Sequence, residues 1–262
     1  MKGMRRGHVA LLALLAAAGV SGTERAEAQS SARDRLLVDA AWLNAHAGDG
    51  DLVLLHVGPE EEYAAGHIPG ARHVTMAAIA APEDHEAGVG LSLELPDPAA
   101  AARTLAGLGI SDDSRVVVYW GPSEWATPAA RVVFTLDWIG LGSRTSLLQG
   151  GMNAWTAAGG EPVSEAPAVR PGRLTPRPRA DLVVDADWVL AHLEAPEFRI
   201  VDARAEVHYD GIQPSYLHRQ PVRLGHIPGA ANVPVLRPEG SRAEFIAKSP
   251  ARSVSSSKDR ES

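Results

Sequence analysis

The 262-residue chain contains no cysteine. No disulfide can staple it, so its fold rests on a packed core, and cysteine-based zinc sites are excluded. No thiolate is available as a nucleophile, which removes every cysteine-dependent covalent mechanism from the chain as it stands. The ten histidines fall without a His-x-His or His-x3-His pair, so no metal site is expected. Gly150-Gly151 is not followed by the Lys-Ser or Lys-Thr of a phosphate-binding loop, and no cofactor is expected. No basic cluster carries interleaved aromatics, and the formal net charge is −7, which argues against nucleic acid as a partner.

Long hydrophobic runs are scarce as well. The apolar stretch over residues 9–20 is 12 residues long, short of what crosses a bilayer. It follows Lys2, Arg5 and Arg6 and precedes Ala26-Glu27-Ala28, so residues 1–28 are expected to be a secretory signal peptide cut after Ala28. The expected location is exported, in a bacterial periplasm, with no membrane attachment after cleavage. Loss of four basic residues (Lys2, Arg5, Arg6, Arg25) and two acidic ones (Glu24, Glu27) would take the net charge from −7 to −9.

What the chain does contain is a repeat. Gly66-His67-Ile68-Pro69-Gly70-Ala71 returns as Gly225-His226-Ile227-Pro228-Gly229-Ala230. Each copy follows an apolar run of strand character, residues 52–57 and 198–203, and leads into a second short β-branched run. Pro presets φ and Gly accepts positive φ, so the motif fits a turn between strands, with His67 and His226 in structural roles. The match extends outward: Trp188 and His192 repeat Trp42 and His46, and Tyr209 repeats Tyr63. A duplicated α/β module accounts for this.

Within the first unit, residues 98–108 suit an amphipathic helix closed by Gly109, and residues 115–120 hold the strand Val116-Val117-Val118-Tyr119. Ser123 suits the N-cap of a helix over about residues 124–139, with Pro128 in its first turn. Ser123 and Thr127 lack the Gly-x-Ser-x-Gly elbow and a placed His base, so a hydrolase is not expected. Residues 147–149 form a buried strand, and Gly150-Gly151-Met152-Asn153-Ala154-Trp155 a strand-to-helix turn whose Trp packs into the module. A Pro-rich stretch then makes a semi-rigid linker.

The order of strand, Glu-Tyr segment, Gly-His-Ile-Pro-Gly-Ala, Val-Val-Val-Tyr strand and Gly-Gly-Met-Asn-Ala-Trp resembles the tandem-domain rhodaneses, the thiosulfate and 3-mercaptopyruvate sulfurtransferases, over residues 37–251. The resemblance implies an α/β fold of two modules, each a mostly parallel sheet flanked by helices, the second incomplete. The expected domains are a non-catalytic scaffold at 36–163, a linker at 164–180, the N-terminal part of a second rhodanese-like domain at 181–251 and a solvated tail at 252–262. In the family a cysteine in the loop after the central strand carries sulfur as a persulfide, and N-terminal domains usually hold Asp there. Here Trp120 stands at that place. No catalytic residue is therefore expected in this chain.

The second unit keeps the family's strand-end Asp202-Ala203-Arg204, where the first has His56-Val57-Gly58. Asp202 is expected to be structural. Arg204 either pairs with a carboxylate such as Asp202 or helps bind an anionic sulfur donor, and His208 stands where the family commonly has a donor-contacting Arg. From His67 to Trp155 there are 88 residues, while 36 follow His226, so the cysteine loop is expected to be missing, either through a frame error or premature stop or because the protein is naturally short with a solvated end. Two readings follow: a rhodanese-type sulfurtransferase inactive in this form, or a non-catalytic module that binds an anion or a partner. Donor, acceptor and oligomeric state do not follow from the sequence.

Overall fold

The computed structural model describes residues 35–82, 93–123, 126–214 and 224–234. The expected signal peptide and the expected tail lie outside the described residues. The chain divides into two compact units. Unit 1 takes in the described residues up to Ile79 and Pro98–Arg177, and unit 2 takes in Ala80–Asp97 and the described residues from Pro178 onward.

Unit 1 is built on five parallel strands: β1 (Leu37–Val38), β2 (Leu52–Val57), β3 (Arg72–Val74), β4 (Arg115–Trp120) and β5 (Thr145–Leu148). Their order is β1-β5-β4-β2-β3, so β2 and β4 lie inside the sheet. Both central strands bury five of their six residues, as strands covered on both faces must, which is why they read as unbroken apolar runs. Around the sheet run α1 (Ala40–His46), α2 (Glu60–Ala65), α3 (Pro98–Gly107), α4 (Ala126–Leu136) and α5 (Gly151–Ala157). Leu43, Leu54, Val117, Tyr119, Leu148 and Trp155 belong to one buried cluster. Trp155 also donates its indole N–H to Asn44 Oδ1 at 3.2 Å, so its polar edge is satisfied inside that packing.

The helix expected over residues 124–139 is described from Ala126 and ends at Leu136. A single π-helical turn, Asp137–Leu141, follows, with Gly140 at φ +106°. The cause is a close approach. A Cβ on Gly140 would lie 3.0 Å from the Arg177 carbonyl oxygen, and the Arg177 N–H donates to Ile139 O at 2.9 Å.

That contact is the last of a series. Val163 exchanges both backbone bonds with His67, Gly172 N–H donates to Ala106 O at 2.8 Å, and Asp112 N–H donates to Arg173 O at 3.1 Å. Arg173 N–H and Thr175 N–H donate to Ser111 Oγ and Asp112 Oδ1. Most of the expected linker is thus stitched to unit 1 as a strap, and its stiffness comes from hydrogen bonds as well as from proline.

Unit 2 contains α6 (Ala186–Ala191), β6 (Val201–Asp202), α7 (Glu206–Tyr209) and β7 (Ala231–Asn232), with β6 and β7 a parallel pair. The repeat holds in detail. Asp39 caps α1 through Trp42 N–H and Asp185 caps α6 through Trp188 N–H, each at 2.7 Å. Trp42 stacks on His46 at 4.1 Å, and Trp188 on His192 at 4.0 Å. The strand expected over 198–203 shortens to two residues, because β7 is its one described neighbour whereas β2 has β3 and β4.

Candidate functional site

The turn motif is one device used twice. In unit 1, Tyr63 O–H donates to Ala71 O at 2.8 Å, His67 Nδ1–H donates to Tyr63 O at 2.8 Å, and the two rings stack at 3.9 Å. In unit 2, Tyr209 O–H donates to Ala230 O at 2.7 Å, His226 Nδ1–H donates to Tyr209 O at 2.8 Å, and the rings stack at 3.6 Å. Each histidine ring closes the loop onto the helix before it, and Gly70 and Gly229 take the positive φ the turn needs.

The two strand ends differ. At the end of β6, Asp202 receives the Arg204 backbone N–H at 3.0 Å, the guanidinium Nε at 3.0 Å and Nη2 at 2.5 Å. Nη2 also donates to Gly225 O at 2.8 Å, so Arg204 ties the strand end to the turn. These bonds from Arg204 hold the Asp202 carboxyl below its usual range and keep the pair ionised. Across the sheet, Asn232 Nδ2 donates to Asp202 O and Arg204 O. His208 is half-buried and places Nδ1 3.2 Å from Gln213 O.

In unit 1 the corresponding strand end carries histidines. His56 pairs with His73 across β2–β3 as Asp202 pairs with Asn232 across β6–β7. His73 Nε2–H donates to Gly58 O at 2.7 Å, the counterpart of the Asn232 bond to Arg204 O. His56 is fully buried, with Nδ1 3.3 Å from the Tyr119 hydroxyl and Nε2 without a partner. The Tyr119 hydroxyl in turn accepts the Ile68 N–H at 3.0 Å. Burial, with His73 and His67 adding to it against Glu62, pushes the His56 pKa down to about 4. Its ring is therefore neutral at pH 7.

The loop after β4 is where the family places its nucleophile. Trp120 is the last residue of β4 and is buried among the core residues, and the loop starts at Gly121. The carboxylate of Glu62, from α2, fills the space beside this loop. Its Oε1 accepts the Ser123 N–H at 2.9 Å, and a Cβ on Gly121 would lie 1.8 Å from its Oε2. Asn153 Nδ2 donates to Pro122 O at 3.2 Å and fixes the other side. Glu62, His73 and Asn232 had no role in the sequence reading. Their signal was the fixed offset from Tyr63, His67 and His226 in the repeat, together with the glycine at 121. Among the described residues no cluster of His, Asp and Glu could hold a metal ion, and no helix is long and apolar enough to cross a membrane.

The family model for the rhodanese-like domain matches residues 39–158 and again 185–261. The chain belongs to the rhodanese family. It carries two such domains in tandem. It is 36% identical over 187 residues to a probable 3-mercaptopyruvate sulfurtransferase of Pseudomonas aeruginosa, covering 70% of this chain and 62% of that protein. It is 30% identical over 225 residues to the thiosulfate sulfurtransferase of Bos taurus, covering 81% of this chain and 69% of that one. Among solved structures, SseA from Escherichia coli, a 3-mercaptopyruvate sulfotransferase with the rhodanese fold, superposes with a TM-score of 0.63 at 28% identity, over 76% of this chain and 74% of that one. This rhodanese spans less than two thirds of the length of the Pseudomonas protein and of an Arabidopsis thaliana thiosulfate/3-mercaptopyruvate sulfurtransferase, at 62% and 64%.

Proposed function

We propose that this protein is an exported rhodanese-type sulfurtransferase homologue whose lineage moves sulfane sulfur from thiosulfate or 3-mercaptopyruvate to cyanide or a thiol, and that the 262-residue form does not turn over. The observation that carries the second half is chemical. Sulfur transfer of this kind needs a thiolate to attack the donor's outer sulfur and hold it as a persulfide, and the chain has no cysteine. In unit 1 the central strand ends in buried Trp120 and the Glu62 carboxylate lies against the loop that follows, an arrangement suited to a scaffold. Tandem homology to sulfurtransferases supports the first half. In unit 2, Arg204 and His208 are the residues nearest in type to donor contacts, and Arg204 is committed to Asp202 and Gly225.

The test is thiocyanate formation from thiosulfate and cyanide by the purified chain, beside the Bos taurus thiosulfate sulfurtransferase as a positive control. No product above the enzyme-free rate is expected. Turnover by the cysteine-free chain would overturn the proposal. Export is tested separately by the N-terminus of the protein recovered from periplasmic extract, expected at Gln29.

A further inference from the structure

One peptide group of unit 1 connects the buried histidine to the strap. The His67–Ile68 peptide accepts the Val163 N–H through its oxygen at 3.0 Å and donates its own N–H to the Tyr119 hydroxyl at 3.0 Å. His67 N–H donates to Val163 O at 2.9 Å and completes the bridge to the start of the strap.

The Tyr119 hydroxyl works in both directions. Its oxygen accepts the Ile68 N–H, and its own proton goes to His56 Nδ1, 3.3 Å away. That bond needs a bare Nδ1, so the neutral ring carries its proton on Nε2, which is buried without a partner. A proton added to Nδ1 reverses the bond. His56 then donates to Tyr119, and the hydroxyl proton loses its acceptor between two residues that are each 0% exposed. The groups facing the ring are Tyr119 from β4, His73 from β3, Glu62 and Tyr63 from α2 and His67 from the turn. Only Glu62 among them favours the charged ring, and its carboxylate is bonded to the Ser123 N–H instead. Val163, on the other side of the shared peptide, is 36% exposed, so water can reach the network from there.

We propose that His56, Tyr119 and the His67–Ile68 peptide form an acid-sensitive clasp, which holds the start of the strap on unit 1 at neutral pH and lets it go when His56 takes a proton. Because the folded histidine titrates at about 4 and a free one near 6.5, the clasp is fully closed above about pH 6.5 and weakens as pH falls toward 4. Its opening constant should rise about 30-fold between pH 7.5 and 5.

Amide hydrogen exchange of the full 262-residue chain, corrected for the intrinsic effect of pH, measures this opening. Ile68 and Val163 should lose about 30-fold of their protection between pH 7.5 and 5. Gly172 and Arg177, whose bonds to Ala106 O and Ile139 O lie outside the network, should keep theirs. His56→Asn should abolish the difference. Tyr119→Phe keeps the ring and removes the hydroxyl, so it should lower Val163 protection already at pH 7.5 and leave little dependence on pH. Unchanged protection of Val163 in the native chain at pH 5 overturns the proposal. So does an equal loss at Gly172 and Arg177, which is the mark of the whole unit unfolding, or a pH response that survives in His56→Asn. The native-chain comparison stands whether or not either variant folds, and no sulfur transfer is scored, so failure of the proposed activity leaves this result intact.

Discussion

His56 lies directly opposite His73 in the parallel β2–β3 pair, with ring centroids 6.2 Å apart, at the position where unit 2 sets Asp202 opposite Asn232. The same strand end is thus held by a neutral imidazole in one module and by an ionised carboxylate in the other. What separates them is the residue two positions on. Unit 2 has Arg204 to neutralise Asp202, and unit 1 has Gly58 at that place.

His56→Asp should therefore be costly. It would leave a buried carboxylate without an arginine, a loss of about 3–5 kcal/mol, measurable as a fall in the urea midpoint of unit 1. Adding Gly58→Arg should restore part of it, because the second change supplies the charge that Arg204 gives Asp202. A double variant no more stable than the single one would show that the two strand ends are not equivalent.

Stability should also fall toward acid. The folded state keeps His56 neutral down to about pH 4, while an unfolded histidine titrates near its usual value of about 6.5. Because the folded pKa is the lower one, the contribution is complete above about pH 6.5 and is lost as pH falls from there to about 4. Urea midpoints at pH 7.5 and 5 should differ in the native protein, and the difference should shrink in His56→Asn. The groups facing the ring, Tyr119 from β4, His73 from β3, Glu62 and Tyr63 from α2 and His67 from the turn, remain in that variant.

Gly121→Ala tests the loop after β4. A Cβ there meets the Glu62 carboxylate at 1.8 Å, so Glu62 must swing aside and give up the Ser123 N–H, a loss of about 1 kcal/mol. Glu62→Ala should make it tolerated, and the two effects should fall well short of additive. Additive losses would show that Glu62 is not what excludes the methyl group.

Limited proteolysis should cut unit 2 first. Leu190, Ile212 and Leu224 are all more than half exposed, whereas Leu43, Leu105, Val118 and Leu148 in unit 1 are essentially inaccessible. Early fragments should end between residues 178 and 234, and equal resistance of the two units would contradict this order.

Much of the scaffold was legible from the chain. The Gly-His-Ile-Pro-Gly repeat located both turns, and continuous apolar runs marked β2 and β4 because those strands are buried on both faces. Gly109, at φ +81°, closes the α3 stretch as the pattern suggested. What stayed hidden depends on contacts far apart in sequence. The strap along unit 1 is set by backbone bonds to Ala106, Asp112 and Ile139, which no local pattern encodes. The shortness of β6 goes with its single described neighbour, β7, where β2 has two. The position of Glu62 beside Ser123 is a meeting of residues 61 positions apart.

Glu62 has one more consequence, for anyone probing this molecule with ligands. Unit 1 carries a carboxylate of its own against the loop amide of Ser123, so that loop is already supplied with negative charge. Thiosulfate or sulfite added in solution would have to displace a covalently tethered competitor and meet its repulsion. Chemical-shift changes or calorimetric heat seen on adding such anions should therefore map to residues of unit 2. At that loop, unit 1 meets an added anion with a negative charge of its own.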